Sequence, residues 1–400
     1  MSEKKTFHKA ANHSVMPDSR QRISALRSKI LLILILVIFS LSNWGGGLTT
    51  AASAVNTSSS DVEESLSHKI SVNNFDADRI TDYAVVREES IPETGLTQLV
   101  WYILRSSDQA PSYKWFGLQG DKLVSADYDG DGMTDAAVFR QGAWCIEKSS
   151  DNTTMWAQLG EAEDQPVPAD YDGDGKTDIA VYRPPSKTWV VIQSSTTQPL
   201  AYSFDCDECI EITGGNYVPV PADYFGDGTA DMALIQNDWS ARSRKLIVKN
   251  LSPFSRPQLM VRTLDFPDNL FANGFIGDGR DIPIPIRLNR DAQPDLAVVH
   301  SDGNVLRWVI FLNVGNSQQP SLTPNAIIPW GLCGDYLVPG DYDGNGYGDL
   351  SVWRREEGIG NYYVRPTLNE ALEGGQMRVY QWGLSTDTPT ALGGVRACWN

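Results

Sequence analysis

The sequence predicts an all-β chain assembled from six or seven copies of one four-stranded sheet, and three observations carry that expectation. The composition favours turns and aromatic strands: 34 Gly and 22 Pro stand beside 12 Trp, 15 Tyr and 12 Phe in 400 residues. A mainly helical chain would carry fewer breakers and more Ala, Leu, Glu and Lys. One nine-residue acidic loop recurs along the chain, and the same order of short apolar segments follows each copy.

The loop DYDGDGMTD at 127–135 returns as DYDGDGKTD at 170–178, DYFGDGTAD at 223–231 and DYDGNGYGD at 341–349. Looser copies are NFDADRITD at 74–82 and RLNRDAQPD at 287–295. The closing aspartates fall at 82, 135, 178, 231, 295 and 349, in steps of 43 to 64 residues, which bracket the roughly 40–50 residues of a propeller blade. A strand read as alternating follows each loop: TDYAVVR, TDAAVFR, TDIAVYR, ADMALIQ, PDLAVVH and GDLSVWR. A second begins on an aromatic, at Trp101, Trp144, Trp189, Trp308 and Tyr362. A third carries an aromatic-Gly-Leu stretch, at Trp115, Trp156, Trp330 and Trp382. The fourth is a Pro-bearing run such as PVPAD or LVPGD that leads into the next loop.

Four such strands form one antiparallel sheet that cannot bury both faces alone, whereas stacking on neighbouring sheets around a ring does so. The Trp and Tyr positions are the expected filling between sheets. The stretch WGLSTDTPTALG at 382–393 begins a seventh copy, but Gly393 stands where Asp is due, so both six and seven blades fit. The terminal strands are expected to share a blade, because closure removes exposed edges.

The loop spacing suits calcium, a hard cation that takes six to eight oxygens at about 2.3–2.6 Å. Carboxylates at positions 1, 3 and 5 of a tight loop converge on one point, and a carbonyl at 7 and a carboxylate at 9 complete the cage. Glycine at 4 and 6 permits the wrapping backbone. The full sets are Asp127, Asp129, Asp131 and Asp135, then Asp170, Asp172, Asp174 and Asp178, with Asp341, Asp343, Asn345 and Asp349 as a third. Weaker sets are Asn74, Asp76, Asp78 and Asp82, where Ala77 and Arg79 replace both glycines, and Asp223, Asp227 and Asp231, where Phe225 takes the third position. The copy at 287–295 opens on Arg287 and is expected to form a salt-bridged turn without metal. An EF-hand would need Glu at position 12 and flanking helices; Val138 and Val181 stand there instead.

With these motifs in hand, the chain resembles the FG-GAP and VCBS repeats of integrin α-type β-propellers and bacterial exported proteins. The resemblance covers roughly residues 65–400. It implies a β-propeller of four-stranded blades with calcium-binding loops, in which calcium is structural.

Residues 1–54 read as an address. Seven basic residues against Glu3 and Asp18 precede the apolar run ILLILILVIFSL at 30–41, and the segment ends in Ala52-Ser53-Ala54. A basic start, a short apolar core and a small-x-small site describe a signal peptide. Twelve apolar residues cover roughly 18 Å as helix, short of a hydrocarbon core of about 30 Å. An uncleaved signal anchor is the alternative, and only then is the chain held at a membrane. A Ser/Thr-rich linker at 55–67 and a propeller at 68–400 complete the organisation. The expected location is secreted or cell surface.

The formal charge is −17, from 33 basic and 50 acidic residues; cleavage at 54 removes seven basic and two acidic residues, taking it to −22. Such a balance repels a phosphate backbone and argues against nucleic acid. Of five cysteines, Cys206 and Cys209 read as a local disulfide suited to an oxidising compartment, with inert thiols and a redox or metal pair as alternatives. The pairing of Cys145, Cys333 and Cys398 stays open.

Calcium loops at the first turn of each blade leave the second turns and inter-blade connections on the opposite face. Trp239, Arg242, Arg244, Phe271 and Phe275 belong to insertions there and form a candidate ligand face; covering a blade edge is the alternative role. The sequence lacks GxSxG, HExxH and phosphate-cradling motifs. The function expected is therefore a non-catalytic binding or adhesion scaffold for an extracellular protein or glycan. The competing readings are a polysaccharide lyase or hydrolase, which would need paired carboxylates across a pocket, and a structural envelope component.

Overall fold

The computed structural model describes residues 73–91, 95–204, 216–237, 243–250, 258–266, 281–289, 291, 293–315, 320–369 and 371–398, all within the compact unit Thr57–Asn400. The address segment, the linker and the Cys206–Cys209 pair lie outside these residues. The unit is a six-bladed β-propeller arrangement, and almost no helix occurs among the described residues. Blade 1 is built from β1 (Tyr83–Ile91), β2 (Leu96–Leu104) and β3 (Pro111–Leu118), completed by β25 (Thr388–Pro389) from the far end of the chain. The chain ends thus share a blade. Pairs Val85–Pro389 and Val86–Thr388 make the closure, and the stretch at 382–393 finishes blade 6 and opens blade 1 rather than starting a seventh.

Blade 2 holds β4 (Lys122–Leu123), β5 (Ala136–Arg140), β6 (Ala143–Glu147) and β7 (Thr154–Gln158). Blade 3 holds β8 (Gln165–Pro166), β9 (Ile179–Arg183), β10 (Thr188–Ile192) and β11 (Pro199–Ser203). Blade 4 is β12 (Asn216–Pro219), β13 (Met232–Asn237), β14 (Ser243–Asn250) and β15 (Gln258–Asp265). A fifth strand, β19 (Ser321–Leu322), reaches over from blade 5 and pairs parallel with β15. Blade 5 is β16 (Ile282–Ile286), β17 (Asp295–Asp302), β18 (Val305–Phe311) and β20 (Ala326–Leu332). Blade 6 is β21 (Tyr336–Leu337), β22 (Leu350–Glu356), β23 (Ile359–Arg365) and β24 (Arg378–Leu384).

The strand after each acidic loop was expected to alternate, and it does not. Ala136–Phe139, Ile179–Tyr182 and Leu296–Val299 are buried residue after residue, because both faces of the second strand lie under neighbouring blades. Alternation shows on the third strand, where Trp144 and Ile146 are buried between less buried neighbours. The expected aromatic filling is present: Trp101, Trp144, Trp189, Trp308 and Trp353 are fully buried. Burying an indole leaves one N–H to satisfy. Trp101 donates to the Phe116 carbonyl at 2.8 Å, Trp144 to Leu159 at 3.0 Å, Trp308 to Trp330 at 2.9 Å and Trp353 to Trp382 at 3.0 Å, each on or just past the fourth strand of its own blade. The aromatic-Gly-Leu motif has a steric reason: a Cβ at Gly331 would lie 2.9 Å from Val352 of the next blade, at a φ of +93°.

Candidate metal centre

In blades 2 to 6 the acidic loop is the turn between the first and second strands, and in blade 1 the loop at 74–82 leads directly into the second strand, β1. In loop 127–135, Asp127 accepts the N–H groups of Gly130 at 2.6 Å and Gly132 at 2.9 Å, and those glycines sit at φ +79° and +84°, where a side chain is strained. Asp135 accepts Tyr128 N–H at 2.8 Å with one oxygen and Ser149 N–H at 2.6 Å with the other. Ser149 begins the turn between the third and fourth strands. The closing aspartate therefore staples the first and third turns of one blade together. Asp178 does the same with Tyr171 and Ser194, Asp349 with Tyr342 and Thr367, Asp82 with Phe75 and Ser106, and Asp295 with Leu288 and Asn313.

All six closing aspartates, including Asp231, are buried. Desolvation raises their pKa despite the donated hydrogen bonds: Asp135 and Asp295 to about 6, Asp82, Asp178 and Asp349 to about 7, Asp231 to about 8. Burial also raises Asp127, Asp223 and Asp341.

Three loops bring one carboxylate oxygen from each of positions 1, 3 and 9 within 4.8 Å of one another: Asp127, Asp129 and Asp135; Asp170, Asp172 and Asp178; Asp341, Asp343 and Asp349. Position 5 lies outside these triads. Asp131 and Asp174 accept the hydroxyls of Ser149 and Ser194, and the Asn345 amide donates to the Thr367 carbonyl at 2.8 Å. Serine pairs at the third turn engage position 3 as well: Ser107, Ser150 and Ser195 donate to Asp76, Asp129 and Asp172 at 2.6, 2.5 and 2.5 Å.

The donor sets fit a hard cation. All three ligands of each triad are carboxylate oxygens, which keep lone pairs free while accepting N–H bonds. In the loop at 74–82, Asn74 donates to the Gly132 carbonyl of the neighbouring loop, its side-chain oxygen is buried without a donor, and Ser106 holds Asp78 at 2.5 Å. Ala77 and Arg79 occupy left-handed positions at φ +64° and +68°. In the loop at 223–231, Asp223 accepts Asp227 and Gly228 N–H, Asn250 donates to Asp227 at 2.8 Å, and Phe225 packs against the core between blades 4 and 5. The expected salt-bridged turn at 287–295 does not form: Arg287 makes no ion pair among the described residues, and its Nε is buried without an acceptor.

The loops are also joined to one another. The carbonyl at position 1 accepts the N–H at position 8 of the next blade: Asn74 from Thr134 at 2.6 Å, Asp127 from Thr177 at 2.7 Å and Asp170 from Ala230 at 2.7 Å. The belt continues with Arg287 from Gly348 at 2.6 Å and Asp341 from Thr81 at 2.8 Å. Between blades 4 and 5 position 8 is Pro294, which has no N–H to give.

On the opposite face lies a second repeat that the sequence analysis missed. Arg87, Arg140, Arg183 and Arg354 lie on their second strands, each five residues after the closing aspartate of its loop, and form two-pronged bonds to Asp387, Asp121, Asp164 and Asp335. Each aspartate also caps its own turn, as Asp335 does by accepting Leu332 N–H at 2.7 Å. The signal was present at this position of the repeat: R, R, R, Q, H, R.

In blade 5 the residue at this position is His300, whose Nδ1 lies 2.8 Å from Asp281, and Arg244 of blade 4 pairs with the same carboxylate at 3.2 Å. Arg244 was expected on an exposed ligand face. It is 2% exposed, with its guanidinium over the Phe266 ring at 5.6 Å, and so pins two blades rather than presenting to solvent. Trp239, Arg242, Phe271 and Phe275 lie outside the described residues.

No family model matches the chain, and no curated protein matches it. Among solved structures, a lectin of Agrocybe aegerita described as recognising non-reducing terminal N-acetylglucosamine is 16% identical, with a TM-score of 0.46 over 75% of this chain and 80% of that one. A nucleoporin β-propeller from Vanderwaltozyma polyspora is 11% identical, with a TM-score of 0.37 over 76% of this chain and 90% of that one. A yeast heterotrimeric nucleoporin complex gives 7% identity and a TM-score of 0.42, over 75% and 90%. Likenesses this distant say nothing of ligand or activity.

Proposed function

We propose that this chain is an exported, calcium-stabilised β-propeller of the FG-GAP/VCBS kind, acting as a non-catalytic binding or adhesion scaffold for an extracellular protein or glycan. The observation that carries the calcium reading is the convergence of three carboxylates in each of three loops. Asp127, Asp129 and Asp135, with the corresponding residues of the loops at 170–178 and 341–349, would hold the ions. Bound calcium supplies positive charge to buried carboxylates and offsets part of the net −17.

Extracellular modules bind calcium with dissociation constants of about 10⁻⁴–10⁻³ M, so millimolar calcium adds on the order of 1 kcal/mol per filled site. The chain's own residues prepare the site. The closing aspartate fixes the loop against the third turn, and the belt of loop-to-loop hydrogen bonds holds position 1 of these three loops, Asp127, Asp170 and Asp341, in place. The scaffold reading rests on this stapling, which leaves the acidic groups committed to holding turns. The secreted or cell-surface location rests on the basic-apolar-small pattern of residues 1–54.

Calorimetric titration of calcium into purified residues 55–400 tests the ion: uptake of about three ions is expected, and no heat of binding overturns the calcium reading. Screening the same material on a glycan array and on extracellular protein ligands tests the scaffold role. Turnover of a polysaccharide by the wild-type protein would replace it with the enzyme reading, and ordered self-assembly would favour the envelope component.

A further inference from the structure

We propose that the C-terminal segment 390–398 is a disulfide-latched strap that holds the propeller ring shut and is released by reduction. Strand β25 brings only two residues into blade 1, with the Thr390 N–H and hydroxyl both donating to the Ala84 carbonyl at 3.1 and 3.3 Å and the Arg87–Asp387 pair beside them. That is little strand pairing for the joint where the first strand of a blade is not the chain neighbour of the second.

The chain does not stop there. A 3-10 turn at Ala391–Gly393, with Leu392 and Gly394 in left-handed conformations, sends it back to blade 6. There it lies along the innermost strand β21. Leu337 N–H bonds the Val395 carbonyl at 3.0 Å, Ala397 N–H bonds the Asp335 carbonyl at 2.8 Å, and Gly334 N–H bonds the Ala397 carbonyl at 2.9 Å. Arg396 Nε donates to the Gly334 carbonyl at 3.0 Å, and its guanidinium stands 6.0 Å from the Tyr336 ring centroid.

Cys398 is joined to Cys333, a sequence separation of 65. Ala397 is buried, and Leu392 and both cysteines pack against the apolar core between blades 5 and 6. The strap therefore ties the closing strand of blade 1 to the inner edge of blade 6. A segment held by so few hydrogen bonds frays, whereas a cross-link spanning this much chain strongly restricts the unlatched ensemble. Reduction by a dithiol passes two electrons to the bond. Cys333 and Cys398 become thiols, and the reductant closes into its own disulfide.

The test uses residues 55–400 at fixed calcium, since nothing in the strap involves the acidic loops. Non-reducing digestion is expected to yield a peptide linking Cys333 to Cys398. Dithiothreitol is expected to lower the wild-type melting temperature by about 5 °C or more, and to speed amide exchange in Tyr83–Ile91 and at Leu337 at least tenfold. Cys398→Ser is expected to melt at the reduced wild-type temperature, with any residual reductant effect reporting Cys206 and Cys209. Absence of the linked peptide overturns the proposal. So does a reductant effect no larger in wild type than in Cys398→Ser, and so, in wild-type protein alone, does exchange in Tyr83–Ile91 and at Leu337 that dithiothreitol leaves unchanged.

Discussion

Replacing Asp178 by alanine isolates the staple from the ion. Asp178 is 1% exposed and accepts Tyr171 N–H at 2.8 Å and Ser194 N–H at 2.7 Å. Alanine leaves two backbone donors without acceptors in places largely closed to water, at about 1–3 kcal/mol each. Against this stands relief of a buried charge, since burial has raised this carboxyl to about 7. A net loss of roughly 2–4 kcal/mol is therefore expected from a total of about 5–15 kcal/mol. The assay is equilibrium urea unfolding in excess EDTA, so that ion binding does not enter. Asp172→Ala serves as comparator: its carboxylate lies in the same loop, is less buried, and is held chiefly by the Ser195 hydroxyl, so about 1 kcal/mol or less is expected. Equal losses for the two variants, or a loss for Asp178→Ala within 0.5 kcal/mol of zero, would refute the staple.

Three further outcomes are expected. The closing aspartates have folded pKa values above the ordinary 3.8, so the folded state binds protons more tightly than the unfolded one. Their contribution to ion-free stability is fully present below about pH 4 and is lost as pH rises through about 6–8. Calcium competes with those protons, so calorimetric affinity is expected to be weaker at pH 6 than at pH 8. Ala77→Gly and Arg79→Gly relieve left-handed strain of about 1–2 kcal/mol each against a glycine entropy cost of about 0.5–1 kcal/mol; urea unfolding should show each variant more stable than wild type by roughly half to one kcal/mol. Both partner aspartates, Asp335 and Asp121, are buried, but Arg354 is 23% exposed against 47% for Arg140, so Arg354→Ala is expected to cost about 2 kcal/mol and Arg140→Ala less, by the same unfolding measurement.

The apolar seams show how the ring compensates where its repeat is poorest. Between blades 4 and 5 the belt lacks a donor at Pro294, and the flanking loops have Phe225 and Arg287 at ligand positions. The same seam carries the crossing strand β19, the Phe266–Phe311 edge contact at 5.5 Å and the Arg244–Asp281 pair. Packing and a buried ion pair stand there in place of the repeated polar links.

The amino-acid sequence by itself determined the repeat, the all-β character, the placement of the acidic loops at first turns and the sharing of a blade by the two chain ends. Each is a local or periodic property: glycine at fixed offsets, aromatics at strand starts, proline before four of the six loops. Tertiary structure alone decided between six and seven blades, because closure depends on the rotation accumulated between sheets and on which strand meets Val85 and Val86. It decided that position 5 turns towards the serines of the third turn while positions 1, 3 and 9 converge, since those serines lie 18 to 20 residues away in sequence. It likewise moved Arg244 from an imagined surface into a buried pin, because nothing in its own segment reveals that Asp281 of the next blade is waiting beside it.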